Sequence, residues 1–212
     1  MEIAFDQVAP YVKSQMQNDH TGHNYDHIER VVNNVQSILV NESRANALVA
    51  LTAAYMHDLI DDKLFENPGK QIAIVKSKLQ EWHYSGDKID AIMDIIEHMS
   101  FSKNLDYHYE LSVEGQIVQD ADRLDAIGAV GIARAFYYGG HVGEKMYDPG
   151  LKPRTELTQD EYRNPTTIVN HFYEKLLNIK NSLNTDTARE MARVRQKVMQ
   201  EFLTEFKVEW GN

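Results

Sequence analysis

Apolar residues recur along most of this chain at steps of three and four, the period of a helix packed on one face. The clearest run is Ile28, Val31, Val32, Val35, Ile38 and Leu39. Ile3, Phe5, Val8, Val12 and Met16 form an earlier one, with a kink or restart expected at Pro10. Asn67-Pro68-Gly69 reads as a turn. A helix follows on Ile72, Val75, Leu79 and Trp82, closing near Gly86, and another on Ile89, Ile92, Met93, Ile96 and Met99. Within 113–138, Ile117, Val118, Ala121, Leu124 and Ala129 pack, while Gly128 and Gly131 mark close helix contacts or a break. Residues 139–163, with Pro149-Gly150 and Pro153, read as a long loop or lid. Asn164-Pro165 starts the next helix, carrying Ile168, Phe172, Leu176 and Ile179. Thr185 caps a last one, with Met191, Val194, Val198, Phe202, Phe206 and Trp210, whose Met and aromatic stripe reads as core. No segment shows a convincing strand alternation. The expectation is an all-α bundle of about eight helices, one domain over 1–212, ending in C-terminal helices over 164–210.

One helix differs from the rest. Leu48, Leu51 and Tyr55 fall at helical spacing, and so do Ala47, Ala50, Ala54 and Asp58, running back to a Ser43 cap. This buried helix ends in His57-Asp58, after which Leu59 to Lys63 leave the buried face. A carboxylate driven into an apolar interior costs several kcal/mol unless it is paired or binds a cation. Two further residues sit at or beside apolar faces: His27, four before Val31, and Asp122, four after Val118. Two imidazoles and two carboxylates suit one divalent transition ion (manganese, iron, cobalt, nickel or zinc) better than calcium. The bland alternative for His57 is a histidine near a helix C-terminus. His98, in a last turn, either caps its helix or joins the site. His23 and His27 have zinc-protease spacing, but Asn24 stands where that chemistry needs glutamate. His23 is therefore expected to support the ligands from behind. His83 and His108 read as surface.

Composition narrows the rest. With no cysteine, thiolate metal sites, disulfides and thiol nucleophiles are excluded. A net charge of −10 argues against coating a nucleic-acid polymer. It leaves room for a small phosphorylated substrate, because a divalent ion and a few arginines make a locally positive site. Arg30, Arg123 and Arg134 either pair with carboxylates such as Glu29 and Asp125 or offer the fork that suits phosphate. Met1 to Gln17 contains Asp6 and Pro10 and no uninterrupted apolar stretch, so a signal peptide is not expected; no run approaches the ~20 apolar residues a membrane span needs, and the default location is cytoplasmic. The oligomeric state stays open, a homodimer included.

The order His27, His57-Asp58, Asp122 resembles the HD-domain metal-dependent phosphohydrolase superfamily, an all-α fold. The flanks are similar to one bacterial subfamily over nearly the whole chain: Gly22 to Val31, Ser100-Phe101-Ser102 after a histidine, Ile117 to Arg134, and His171 to Leu177. The resemblance implies a metal-site core over about 20–135. It also implies hydrolysis of nucleoside triphosphates to monophosphate and pyrophosphate by a metal-activated water. A nucleotidase releasing orthophosphate, or a metal- and nucleotide-binding sensor without turnover, are the alternatives. Asp61-Asp62 stands at the offset of a Glu-Asp pair in the related guanosine tetraphosphate hydrolases, which implies a role in orienting water; a solvated loop is the plainer reading of the pair. Cyclic dinucleotide phosphodiesterases carry a lysine soon after the pair and extra histidines for a second metal. Here Leu59-Ile60-Asp61 follows, which implies one metal. Lys63 and the three arginines are the expected substrate contacts, and His98 or an arginine would stabilise the leaving group.

Overall fold

A computed structural model describes residues 2–16, 24–60, 68–100, 109–155 and 166–211. Among these residues there are nine α-helices, two 3-10 segments and no strand. The helices are α1 (Glu2–Gln15), α2 (Tyr25–Leu39), α3 (Ala47–Met56), α4 (Pro68–Glu81), α5 (Gly86–His98), α6 (Val113–Asp125), α7 (Gly128–Val142), α8 (Ile168–Glu174) and α9 (Asp186–Trp210). The 3-10 segments are His57–Ile60 and Leu176–Ser182. The ninth helix arises because the 113–138 stretch divides at Gly128, whose φ of 81° only glycine adopts without strain.

Helix α3 is the centre of the bundle. It is apolar around most of its circumference, with Ala50, Ala53 and Ala54 fully buried. Such small residues let α1, α2, α5 and α6 all pack against it. Its one deep polar side chain, Thr52, is paired with the Tyr84 hydroxyl at 2.9 Å. The apolar face of α2 is buried at Ile28, Val31, Val35 and Ile38, as its period implies. Helix α9 is stapled across the bundle. The Arg195 guanidinium reaches the Asn34 side-chain oxygen at 2.9 Å and the Leu124 carbonyl, while the Asn34 amide donates to the Ala121 carbonyl at 3.0 Å. Buried Asp120 accepts from the backbone N–H groups of Asn184 and Thr185 and from the Thr185 hydroxyl, which fixes the start of α9.

Several boundaries differ from the sequence expectation. The cap of α3 is Asn46, not Ser43: its side chain accepts from the Val49 N–H. His57 and Asp58 lie in the tighter 3-10 turn that follows α3, and Leu59 and Ile60 remain buried there rather than leaving the core. Pro68 and Gly69 open α4 instead of forming a turn, the position where proline's missing N–H costs nothing. Gly86 opens α5 rather than closing α4; the reversal between them is made by exposed His83 at φ 61°. Pro10 lies inside an uninterrupted α1. Residues 139–142 complete α7, so the expected loop begins only at Gly143, which ends the helix at φ 75°. The buried face of α9 runs through Ala188, Ala192, Met199 and Leu203, with Met191, Phe202 and Phe206 packed half-buried beside it, while Val194, Val198 and, contrary to expectation, Trp210 are exposed. Asn164-Pro165 lies outside the described residues, and the cap of α8 is Thr167.

Candidate metal centre

Three elements converge on one point. The first turn of α2 supplies His27, whose backbone N–H is capped by Asn24 and whose ring is 1% exposed. The 3-10 turn after α3 supplies His57 and Asp58, both buried. Helix α6 supplies Asp122, beside the buried face, with its side chain 32% exposed. The candidate ligand atoms of His27, His57 and Asp122 all lie within 4.8 Å of one another. Asp58 faces both imidazoles with one oxygen each: Oδ2 is 3.5 Å from His27 Nε2 and Oδ1 is 3.2 Å from His57 Nε2. Asp122 Oδ1 is 3.5 Å from His27 Nε2 and 3.9 Å from His57 Nε2. The two rings stand nearly edge-to-face, their centroids 5.3 Å apart.

The outer ring nitrogens decide what the inner ones can do. His57 Nδ1 is 2.8 Å from the Ala54 carbonyl, which can only accept, so that nitrogen carries the proton. His27 Nδ1 is 2.7 Å from Asp125 Oδ2, again an acceptor. In its neutral form each ring therefore turns an Nε2 lone pair toward the carboxylates of Asp58 and Asp122. Burial pushes the His27 imidazole below its ordinary value and so favours the neutral ring, outweighing the hydrogen bond to Asp125, which pulls the other way. Lone pairs and carboxylate oxygens at 3.2–3.9 Å repel one another. A divalent cation placed among them turns that repulsion into coordination, and two nitrogens with two carboxylates are an apt donor set for a first-row ion.

Behind His27 lies a group that the sequence reading undervalued. Asp125 is 2% exposed and accepts from Arg30 Nε at 2.7 Å, Arg30 Nη2 at 3.1 Å and Arg134 Nη1 at 2.6 Å, besides His27. Burial alone would raise its carboxyl. The hydrogen bonds from His27 and Arg30 and the charge of Arg134 outweigh it and hold the group well below the usual carboxylate range. The signal was available: Asp125 is three residues from Asp122 on one helix, hence a neighbour on its surface.

The other expected site residues are placed as follows. Arg30 and Arg134 are partly exposed and flank Asp125. Arg123 is buried and donates to the Ser182 carbonyl, away from solvent. His98 ends α5; its Nδ1 lies 2.9 Å from both the Asp94 carbonyl and an Asp94 carboxylate oxygen, and its ring packs 4.5 Å from Tyr109. It is not a member of the convergent set. His23, Asp61, Asp62 and Lys63 lie outside the described residues, as does His108.

A helical bundle that presents histidine and aspartate side chains in the order His27, His57-Asp58, Asp122 defines a recognisable class. Residues 24–127 match the model of the HD domain. The chain belongs to the HD superfamily of metal-dependent phosphohydrolases. An HD-superfamily hydrolase from Bacillus thuringiensis is 36% identical, with 97% of this chain and 96% of that one covered at a TM-score of 0.77. A solved structure from Lactobacillus plantarum is 45% identical, covers 99% of this chain and 98% of its own, and superposes with a TM-score of 0.88. YpgQ of Bacillus subtilis, solved in complex with ADP, is 33% identical over 98% of both chains at a TM-score of 0.77. HD domains bind divalent metals, and the cluster of His27, His57 and Asp122 is the corresponding candidate here.

Proposed function

We propose that this protein hydrolyses nucleoside triphosphates to the monophosphate and pyrophosphate, with a transition ion such as manganese as its cofactor. The observation that carries the reading is the convergence of two Nε2 lone pairs with the carboxylates of Asp58 and Asp122 in a buried, proton-locked arrangement. The nucleotide is supported by YpgQ, a relative at 33% identity that has been solved with ADP. A bound divalent ion supplies Lewis acidity toward a phosphoryl oxygen and lowers the pKa of water.

The chain's own residues do the remainder. His27, His57, Asp58 and Asp122 hold the ion. A divalent charge would balance the carboxylates of Asp58 and Asp122, leaving the guanidiniums of Arg30 and Arg134 beside it, which favours a polyphosphate. Arg30 and Arg134, aligned by Asp125, offer cations to the phosphate chain. Asp61 and Asp62 follow the His57–Ile60 turn directly in the chain, three and four residues after Asp58, a span of at most about 10–14 Å. Either carboxylate orients the attacking water and takes its proton. Attack at the α-phosphorus breaks the bond to the α–β bridging oxygen, and pyrophosphate leaves. Lys63 and His98 are assigned to the departing charge, and His23 to support of the ligands.

The test is a panel of nucleoside mono-, di- and triphosphates incubated with Mn²⁺, with products identified by ³¹P NMR. Monophosphate and pyrophosphate from triphosphates are expected. Orthophosphate as first product overturns the pyrophosphohydrolase reading in favour of a nucleotidase. Binding without any product makes the protein a sensor.

A further inference from the structure

We infer that Asp125 is a positioning residue of the metal centre, holding the His27 proton on Nδ1 so that Nε2 keeps its lone pair facing Asp58 and Asp122. The inference rests on the reading of His27 as a metal ligand. Neutral imidazole in water favours the proton on Nε2. In this site that tautomer would aim an N–H at the point where the ion is held. It would also leave a bare Nδ1 lone pair 2.7 Å from a carboxylate oxygen. The observed separation requires the opposite tautomer.

The carboxylate that enforces it cannot swing away. Asp125 Oδ1 is fixed by Arg30 Nε from α2, and Oδ2 by Arg30 Nη2 and by Arg134 Nη1 from α7. Arg134 Nη1 also lies 3.3 Å from His27 Nδ1. With Nδ1 protonated this is a side contact, and the Arg134 hydrogen bond is the 2.6 Å one to Asp125. The arrangement depends on the short turn between α6 and α7. Gly128, at φ 81°, lets α7 start three residues after α6 ends, so that Arg134 comes back over Asp125. A carboxylate behind a ligating imidazole both fixes the ring and strengthens its donor nitrogen, and losing such a partner weakens metal affinity about 10–100-fold.

Histidine-specific ¹⁵N labelling with long-range ¹⁵N–¹H NMR reports each ring's tautomer, and His27→Ala assigns the His27 signals. In the metal-free wild-type protein His27 is expected as the Nδ1–H form. An Nε2–H form overturns the proposal whether or not any variant folds. In Asp125→Ala the Nε2–H form should gain population, with Mn²⁺ affinity by titration calorimetry falling about 10–100-fold. Asp125→Asn, which keeps an accepting oxygen, should restore part of both. Glu174→Gln removes a buried carboxylate elsewhere, where it holds Arg154, and should leave tautomer and affinity unchanged despite lower stability. An Asp125→Ala protein with wild-type affinity and an intact Nδ1–H form refutes positioning. Wild-type Mn²⁺ binding by His27→Ala instead refutes the ligand reading beneath it.

Discussion

Asp122→Asn separates coordination from scaffolding, because its two consequences for stability have opposite signs. Asp122 is the least buried of the four candidate ligands, with a third of its side chain exposed. Its Oδ1 lies 3.5 Å from one imidazole Nε2 and 3.9 Å from the other, and both of those nitrogens present lone pairs. Without an ion, replacing the carboxylate by an amide removes a negative charge from a site that also contains Asp58. It supplies an N–H that can point at a lone pair. The metal-free variant should therefore melt at or above the metal-free wild type. With an ion, the order reverses. An ion present at 100 times its Kd stabilises the native state by about 2.7 kcal/mol. For a chain of this length about 1 kcal/mol corresponds to roughly 2–4 °C. Wild type should thus gain about 5–11 °C on passing from EDTA to saturating Mn²⁺. The variant, losing one of four donors and one of two coordinating charges, should gain little at the same concentration. Differential scanning fluorimetry across a Mn²⁺ series reads both effects. An Asp122→Asn protein that is destabilised without metal yet gains as much from Mn²⁺ as wild type would refute the reasoning.

Three further outcomes follow from the same geometry. Asp61→Asn or Asp62→Asn should keep the ion and bind nucleotide but turn over about 10²–10⁴-fold more slowly, the loss of one proton-transfer group; single-turnover kinetics beside metal analysis check this, with Asp62 the stronger of the two. Burial pushes the His171 imidazole down to about 3. Its unfolded form takes a proton near pH 6.5 and its folded form does not, so its contribution to stability is whole above that pH. It is then lost toward pH 3 at up to about 1.4 kcal/mol per unit. Urea titrations at pH 7, 6 and 5 in EDTA should show His171→Gln with a flatter pH dependence than wild type. Finally, cleavage of duplex DNA or structured RNA should be negligible beside that of free nucleotides, as measured on matched phosphate concentrations, because the net charge of −10 disfavours association with a polyanion.

What the sequence made legible was whatever a period could carry. The 3.6-residue pattern located α2 and α5, and it placed His27 on a buried face and Asp122 beside one, correctly in both cases. The pattern failed where burial comes from small residues. Alanines carry the deepest face of α9 at Ala188 and Ala192, where a pattern of large residues shows only the half-buried Met191, Phe202 and Phe206 beside them and takes in Val194 and Val198, which are exposed. The start of α3 was misplaced for a related reason: Ser43 and Asn46 are both good caps, and only the Val49 N–H contact chooses between them. The break at Gly128 was flagged, but its consequence, the return of Arg134 onto Asp125, requires three dimensions. Asp125 itself was visible only as a carboxylate near arginines. Its bond to His27 joins positions 98 residues apart, which no local spacing can report.

The most direct measurement is a crystal of the wild-type protein soaked in Mn²⁺ and examined by anomalous diffraction at the manganese edge. One peak is expected, bonded to His27 Nε2, His57 Nε2 and a carboxylate oxygen each from Asp58 and Asp122, and absent from His57→Ala crystals treated alike. Active, manganese-dependent protein whose anomalous peak lies away from these four side chains would contradict the account.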